Sequence, residues 1–393
     1  MAHLGRATSR PIRGVNVPVH RVSSVVFDTI EAARAEGPAA VAGELHRSTY
    51  ATSGTETTQA LCDAVAAMEG APNDCRAALM PSGLAAITTA LLAFTRPGEH
   101  VLMSDSVYGP ARVFAQGMLA DFGVRTTFFD PRIGAGIEHA IEPDTRVLYL
   151  ESPGSYTFEV QDVPAMCEVA RRRELVSMID NTYASPVLAR PFDWGVDLSL
   201  LALTKYWSGH SDLLMGAVVA RAALWPRLWR GVKQLGQCVG GDDAWLVLRG
   251  LRTVEVRMRQ HERCALTVAR WLASRPEVGR VLHPGLESHP DHALFARDFL
   301  GSNGLFSFEL AGDPAPDAAA VAALVNRRRH FRIAYSWGGF ESLIMPAAID
   351  TMRTVTPWRG GPLIRLHCGL EAPEDLIRDL DEGFAAMRAA MRR

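Results

Sequence analysis

The sequence predicts an α/β protein with a mostly parallel sheet covered by helices on both faces. Short apolar runs alternate with helical stretches from residue 56 to about residue 220, which is the pattern of such a sheet. After Gly240 the pattern of apolar and polar residues changes. It indicates one long helical region followed by scattered strands, which predicts a smaller α+β unit. Hydrophobic residues make up 48% of the 393-residue chain, enough for a core in both parts.

The predicted elements follow in order along three regions. Residues 1–55 predict a loop-rich N-terminal arm with one short helix near 28–36. The large domain is assigned to 56–245 and the small domain to 246–393. In the large domain, helices are predicted at 60–68, 84–94, 110–119 and 163–173, and strands at 100–103, 126–129, 147–150, 175–179, 198–203 and 217–220. In the rest, the predictions are a helical region over 242–274 broken at Gly250, strands at 280–282, 305–310 and 363–366, and a closing helix over 373–388.

Composition argues against several classes of function. The net charge of −2 provides no field for nucleic acid or an anionic membrane. No apolar run reaches the about 18 residues of a membrane span, and the N-terminus has no signal-peptide pattern. The six cysteines are dispersed without metal-binding spacing, so we expect no metal site and reduced thiols, as in the cytoplasm.

The scarcity of lysine draws attention to Lys205. The chain has 41 Lys and Arg residues, and only Lys205 and Lys233 are lysines. Arginine serves wherever a generic positive charge is needed, but its guanidinium stays protonated and cannot form a Schiff base. A deprotonated lysine amine can do so. The composition therefore indicates that the chemistry of Lys205 could not be exchanged.

Asp180 pairs with Lys205 in this interpretation. Asp180 ends the strand-like run 175–179, and Lys205 follows the next strand. Open α/β sheets bind ligands at such strand ends. Pyridoxal phosphate needs a lysine for its aldehyde and a carboxylate that keeps its pyridine nitrogen protonated. A lone aspartate would more often be a strand-end cap, and it is the pairing with Lys205 that favours the cofactor.

Two further segments fit the same cofactor. Ser82-Gly83-Leu84 precedes an apolar helix, whose free N–H groups can hold a phosphate, with the Thr204 hydroxyl nearby. The alternative for this segment is an ordinary helix N-cap. Tyr108 follows the strand at 100–103 and is placed to stack on the ring, although a half-buried loop tyrosine would look the same.

Arg365 lies inside the apolar run 363–367, where a charge is costly unless it is paired. A substrate carboxylate could pair with it in a bidentate bond. An internal salt bridge to Glu341 or Glu371 is the alternative. The segment Tyr335-Ser336-Trp337-Gly338-Gly339 predicts a pocket wall, or else a tight turn with buried rings.

These motifs resemble those of the Cys/Met-metabolism pyridoxal-phosphate enzymes, and within them the β-lyases that cleave cystathionine. The resemblance spans about residues 15–384. It is carried by Ser23–Asp28, Glu151–Ser155, Ile179–Thr182, Thr204–Tyr206, Gly209–Asp212, Arg249–Thr253, Gly304–Phe308, Ala334–Ser342 and Ile364–His367.

The resemblance implies the fold-type-I architecture of pyridoxal-phosphate-dependent transferases. This architecture has a mostly parallel seven-stranded sheet between helices and a smaller α+β C-terminal domain. Such enzymes are homotetramers built from two dimers, with each site shared across a dimer. The resemblance assigns Lys205 and Tyr108 to catalysis, and Asp180, Gly83, Leu84, Thr204, Tyr108, Tyr50 and Thr52 to the cofactor. It assigns Arg365, Ser336, Trp337, Tyr335 and Tyr50 to the substrate, with Tyr50 reaching in from the neighbouring subunit.

One departure from the family pattern lies in the arm. The tyrosine near its end is commonly followed two residues later by an arginine that contacts the partner's cofactor phosphate. Here Thr52 stands in that place. Loss of a charge-assisted bond would cost about 1.5–3 kcal/mol of cofactor binding. Hydroxyls of Thr52, Ser53 or Thr55, or a redirected Arg47, are candidates to compensate.

The function implied is β-elimination from cystathionine or a related cysteine S-conjugate, giving a thiol such as homocysteine, pyruvate and ammonia. The form Tyr-Ser-Trp-Gly-Gly favours β-lyases, because relatives acting at the γ-carbon usually read Ser-Leu-Gly-Gly. A γ-lyase or γ-synthase is the nearest alternative. An aminotransferase fits the motif order less well. A pyridoxal-phosphate-binding regulator without turnover is the alternative that Thr52 keeps open.

Overall fold

The structure is a computed structural model in which residues 3–5, 14–70, 74–349 and 352–392 are described. Helix α1 spans Ile30–Ala42 in the arm, a 3-10 turn covers Ala51–Ser53, and α2 spans Glu56–Glu69. The sequence predicts a short helix near residues 28–36, whereas α1 ends at Ala42. It continues through Pro38 because its end packs on a later helix, where the indole of Trp225 donates to the Gly43 carbonyl at 2.9 Å.

The predicted mostly parallel sheet is confirmed. Its strands are β1 (Cys75–Met80), β2 (His100–Ser104), β3 (Arg125–Phe129), β4 (Thr145–Glu151), β5 (Val176–Asp180), β6 (Leu198–Ala202) and β7 (Gly216–Arg221). They lie in the order β1-β7-β6-β5-β4-β2-β3, parallel from β6 to β3, with β7 antiparallel to both of its neighbours. Sequence analysis omitted β1, whose alanine-rich run has little strand propensity of its own and is held by pairing with β7.

Helices cover both faces of this sheet. They are α3 (Gly83–Phe94), α4 (Gly109–Gln116), α5 (Met118–Asp121), α6 (Val163–Arg172), α7 (Ser185–Leu188) and α8 (Trp225–Gln234), with 3-10 turns at Gly134–Ala140 and Pro191–Trp194. The two-residue strand period sends Val101 and Met103 to the face of α3, whereas Leu102 packs toward α6. The predicted helix over 110–119 is divided at Gly117 into α4 and α5.

A second, five-stranded sheet lies in the C-terminal part. It follows α9 (Gly241–Leu251) and α10 (Val254–Ala273), and its strands are β8 (Val278–Leu282), β9 (Leu305–Leu310), β10 (Arg332–Ile333), β11 (Leu343–Ala347) and β12 (Leu363–His367). The remaining helices are α11 (His292–Asp298), α12 (Ala318–Val325) and α13 (Pro373–Met391). Phe306, Leu366 and Phe384 belong to the separate core of this part. The proposed boundary between residues 245 and 246 falls within α9 and stays a prediction.

Gly250 does not break the helical region, which is interrupted at Arg252–Thr253 instead. A Cβ at residue 250 would lie 2.2 Å from the Ser208 carbonyl oxygen. Glycine is therefore needed for the close approach of α9 to the turn that carries Lys205. Among the helices in the described part of the chain, none is long and apolar enough to cross a membrane.

Asp105 forms a buried latch between the end of β2 and residues 354–356. It accepts hydrogen bonds from the three backbone N–H groups of that segment at 2.8–3.1 Å, and from the Arg112 guanidinium. Burial alone would raise the pKa of Asp105, but these donors outweigh it and lower the pKa to about 2. The latch fixes the start of the loop that carries Tyr108.

We predict that Asp105→Asn lowers the free energy of unfolding by about 3 kcal/mol, because the buried Arg112 loses its anion. The native pKa lies below the ordinary 3.8. The carboxylate therefore stabilises the fold above about pH 4, and this contribution is lost as the pH falls toward 2. Thermal unfolding followed by circular dichroism from pH 7 to pH 2 measures both effects. Asp121→Asn, at an exposed site, is the control. An equal loss of stability on acidification in Asp105→Asn and the wild type would contradict the latch.

Candidate active site

A cavity of about 350 Å³ opens at the carboxyl ends of β4, β5 and β6, beside the first turn of α3. Ten of the residues predicted for the site line it together: Gly83, Leu84, Tyr108, Asp180, Thr204, Lys205, Tyr335, Ser336, Trp337 and Arg365. The residues from Gly83 to Lys205 follow strands of the seven-stranded sheet. The residues from Tyr335 to Arg365 belong to the C-terminal part. The structure thus gathers residues that are far apart in sequence into one pocket.

The start of α3 forms one end of the cavity. Ser82 is the N-cap, and its hydroxyl accepts from the Ala85 N–H at 3.1 Å. A Cβ at residue 83 would lie 2.7 Å from the Cβ of Ala202, so glycine lets the helix start directly above β6. The Ser82 N-cap and an anion cradle are therefore compatible, since the first N–H groups of a helix lack intrahelical partners.

Thr204 also lines the pocket, but its hydroxyl is engaged within its own loop. It donates to the Met215 carbonyl at 3.2 Å and accepts from the Met215 N–H at 3.0 Å. These bonds hold the turn between β6 and β7 in place. A contribution of Thr204 to phosphate binding stays a prediction.

Lys205 is held against the segment that carries Ser336 and Trp337. Its Nζ lies 2.5 Å from the Ser336 Oγ and 5.1 Å from the Trp337 ring centroid. Burial lowers the pKa of Lys205 to about 8, and the nearby Arg365 guanidinium adds to this, while Asp180 opposes it. Ser336 has a φ of 75°, in the left-handed region that is uncommon for serine. A lysine with this pKa has a substantial neutral fraction near neutral pH and can act as a base.

Two buried carboxyl groups lie side by side at the strand ends. Asp180 pairs in register with Glu151 of β4 and accepts from the Thr182 N–H at 3.0 Å. Glu151 accepts from the Tyr108 N–H at 2.6 Å and from the Ser155 hydroxyl at 2.7 Å. Burial raises the pKa of both acids, and repulsion from Asp180 raises that of Glu151 further. A cationic ring nitrogen beside Asp180 would favour its ionised form.

Sequence analysis cited Glu151 only within a motif and gave it no role. The signal was available, because Glu151 ends a strand in the same way as Asp180. Its carboxyl holds the backbone of Tyr108, which is the residue before α4. Burial, followed by the charges of Asp180 and Glu151, raises the pKa of Tyr108, so its phenol keeps its proton at neutral pH.

Arg365 is buried in β12 and is only 7% exposed. Its Nη2 donates to the carbonyl oxygens of Ala334 at 3.2 Å and Ser336 at 3.1 Å, and its Nε has no partner. The alternative of a salt bridge to Glu341 or Glu371 is wrong. Glu371 instead binds the backbone and hydroxyl of Ser342, and Arg365 meets no acid within the described residues. A buried guanidinium without an anion is suited to a carboxylate ligand.

Tyr156 also lines the cavity, and sequence analysis missed it. Its ring centroid lies 5.9 Å from the Arg365 guanidinium carbon. Its φ of 65° lies in the left-handed region, and no residue pattern in the sequence predicted this turn of the chain. Tyr183 is a further tyrosine at the wall, and its buried hydroxyl has no partner.

Tyr50 and Thr52 lie outside the cavity of their own chain. Tyr50 is 50% exposed and forms a single bridge with Ser24. Thr52 accepts a hydrogen bond from Lys233 on α8 at 2.9 Å. Their predicted roles require a neighbouring subunit and stay predictions.

Comparison with known proteins places this geometry in a family. Residues 1–385 match the family described as Cys/Met metabolism PLP-dependent enzyme, where PLP is pyridoxal 5′-phosphate. A putative cystathionine beta-lyase of Rhizobium johnstonii is 46% identical over 95% of this chain and 92% of its own length. The cystathionine beta-lyase of Salmonella typhimurium is 42% identical over 98% of this chain and 97% of its own. A solved cystathionine gamma synthase of Xanthomonas oryzae pv. oryzae, in complex with cystathionine, has a TM-score of 0.86 at 32% identity and covers 99% and 97% of the two chains.

We predict that Arg365→Gln raises the pKa of Lys205 above its value of about 8, because one of the two causes that lower it is removed. Burial remains, so the pKa should stay below the ordinary 10.5. Reductive ¹³C-methylation of cofactor-free protein labels only Lys205, Lys233 and the N-terminus, and NMR titration then follows Lys205 directly. Lys233 is the internal control. An unchanged Lys205 pKa in the variant would show that the guanidinium does not act on this amine.

Proposed function

Because the chain belongs to the Cys/Met-metabolism PLP-dependent enzymes, we propose that it is a carbon–sulfur β-lyase. The substrate would be cystathionine or a related cysteine S-conjugate. With uptake of water, the reaction gives a thiol (homocysteine from cystathionine), pyruvate and ammonia. The observation that carries the proposal is the meeting of Lys205, Asp180 and an unpaired Arg365 in one cavity.

The residues of the cavity fit pyridoxal phosphate. Lys205 would bind its aldehyde, Asp180 its ring nitrogen, and the start of α3 with Gly83, Leu84 and Thr204 its phosphate. Tyr108 would lie against the ring. When bound, the cofactor supplies an electron-accepting ring for bond breaking next to the substrate's α-carbon.

Arg365 would bind the α-carboxylate of the substrate. Its Nε lacks a partner, and a carboxylate would supply the missing acceptor in a buried place where a charge-assisted bond is strong. Ser336, Trp337 and Tyr335 line the same wall and would orient the amino acid. The carboxylate would thereby be held on the side of the pocket that faces Lys205.

Lys205 and Tyr108 would move the protons. The lowered pKa of Lys205 provides a neutral amine that can take the α-proton. The thiolate that leaves from the β-carbon needs a proton, which Lys205 or the phenol of Tyr108 can return. Ser336, at 2.5 Å from the Lys205 Nζ, would keep the amine in position between these steps.

We further propose that the enzyme works in the cytoplasm as a homotetramer of two dimers. Tyr50 and Thr52 would enter the neighbouring subunit's site, which accounts for their distance from the cavity of their own chain. Half-exposed Tyr50 at the end of the arm is suited to such a contact. A dimer would therefore be the smallest complete catalytic unit.

Reaction at the γ-carbon is the competing function. Solved structures similar to this chain include enzymes named cystathionine gamma synthase and cystathionine gamma-lyase at 29–32% identity, whereas several relatives at 40–46% identity are named cystathionine beta-lyases. The Tyr-Ser-Trp-Gly-Gly segment that faces Lys205 also favours the β-lyase.

We predict that the purified enzyme with cystathionine releases pyruvate and homocysteine, and that Lys205→Arg abolishes this release. Arginine retains the charge but cannot bind the aldehyde or act as the base. Product chromatography and a thiol assay measure the outcome, and circular dichroism verifies the fold of the variant. Formation of 2-oxobutyrate in place of pyruvate would identify γ-chemistry. Pyruvate release by Lys205→Arg at the wild-type rate would contradict the proposal.

A further inference from the structure

We propose that Lys233, together with the hydroxyls of Thr52 and Ser53, supplies the cation that neutralises the cofactor phosphate of the neighbouring subunit. The inference rests on the proposed function, because it requires the shared site and the bound cofactor. It assigns a role to the only lysine of the chain other than Lys205.

Among the described residues that line the cavity, no cation is left to neutralise a phosphate. Its lining includes the cations Lys205 and Arg365 and the acids Glu151 and Asp180. Lys205 serves the aldehyde and Arg365 the substrate carboxylate. The start of α3 offers only neutral N–H groups. A phosphate monoester carries about −1.5 to −2 charge near neutral pH, so a further cation is expected from outside this set.

Lys233 has the geometry to provide it. It lies in the last turn of α8, and its Nζ donates to the Thr52 Oγ1 at 2.9 Å and to the Ser53 Oγ at 3.1 Å. Both hydroxyls therefore act as acceptors toward the ammonium and keep their own O–H groups free to donate. The ammonium has three donors, of which two are used here. The three side chains together form a compact group of donors with a positive charge.

No carboxylate neutralises this group. Within the described residues, Lys233 forms no ion pair, and its Nζ also lies 5.7 Å from the Trp229 ring centroid. Lys233, Thr52 and Ser53 are partly exposed and do not line the cavity of their own chain. The charge is therefore available to an anion that a second copy of the chain presents.

Arg47, the cation of the arm that was a candidate to compensate for Thr52, is already bound. Arg47 donates through its Nε to Glu36 at 2.8 Å, and its Nη2 lies 2.7 Å from the same carboxylate. The Ser48 N–H donates to the other oxygen of Glu36 at 2.9 Å, so both oxygens of this carboxylate have partners. The redirected Arg47 considered in the sequence analysis is thus neutralised within its own chain.

The use of lysine at residue 233 has a physical reason. A compact ammonium can place its three donors toward two adjacent hydroxyls and an anion at once, whereas the planar guanidinium fixes its donors in one fork. The family resemblance implies an arginine where Thr52 stands. Lys233 extends from α8 and places one positive charge beside Thr52.

The test compares the binding of pyridoxal phosphate and of phosphate-free pyridoxal to cofactor-free dimers. Lys233→Gln keeps a neutral N–H donor for Thr52 and Ser53 but removes the charge. We expect its affinity for pyridoxal phosphate to fall by at least about tenfold, with the affinity for pyridoxal unchanged. Arg230→Gln, an exposed charge on the same helix, should bind both as the wild type does. Visible absorbance of the bound cofactor gives the dissociation constants, and light scattering verifies the dimer.

A second variant tests the place as well as the charge. Thr52→Arg in the Lys233→Gln background should recover most of the lost affinity for pyridoxal phosphate, because the charge returns to the same group. Wild-type affinity in Lys233→Gln, or an equal loss for both ligands, would overturn the inference. The inference would also be overturned if Thr52→Arg did not restore the affinity for pyridoxal phosphate that Lys233→Gln loses. Each of these results leaves the β-lyase proposal intact if the wild type releases pyruvate, whereas a wild type without pyruvate release refutes the β-lyase itself.

Discussion

The burial of charge at the carboxyl ends of three neighbouring strands governs this site. Lys205, Arg365, Asp180 and Glu151 line one cavity, and the last three are buried. Burial favours the neutral form of each ionisable group, so it lowers the pKa of Lys205 and raises the pKa of Asp180 and of Glu151. A ligand with a cationic ring nitrogen and a carboxylate would favour the ionised form of Asp180 and pair with Arg365. The electrostatics of the cavity are thus suited to a ligand with these two groups.

The surrounding fold keeps these groups in place by close backbone contacts. Glycine at residue 83 lets α3 begin directly over β6, and glycine at residue 250 lets α9 reach the turn of Lys205. The Asp105 latch fixes the loop of Tyr108 from one side, and Glu151 holds its backbone from the other. Position in the site therefore depends also on residues outside the cavity lining, such as Gly250 and Asp105.

Arginine and lysine divide their tasks according to their chemistry. Arg365 is placed where a planar, permanently charged group can bind a carboxylate, and Arg112 where it can neutralise a buried acid. Lys205 stands where burial lowers the pKa of its amine to about 8. Lys233, on α8, donates to two hydroxyls of the arm that a compact ammonium can reach together. These two positions stand out in the sequence because the other members of the 41 Lys and Arg residues are arginines.

The sequence by itself determined the α/β class, the site at the strand ends, and the roles expected of Lys205, Asp180, Gly83 and Arg365. These follow from local patterns, because strand periodicity, a helix start and a charge within an apolar run are all visible in a few neighbouring residues. Only the tertiary structure decided that Arg365 lacks an acid, that Glu151 adjoins Asp180, and that Lys233 meets the arm at Thr52. It also decided that β1 is a strand and that α1 continues past Pro38, since partners distant in sequence hold both. Contacts of this kind depend on how the chain packs in space, and no short stretch of residues encodes them.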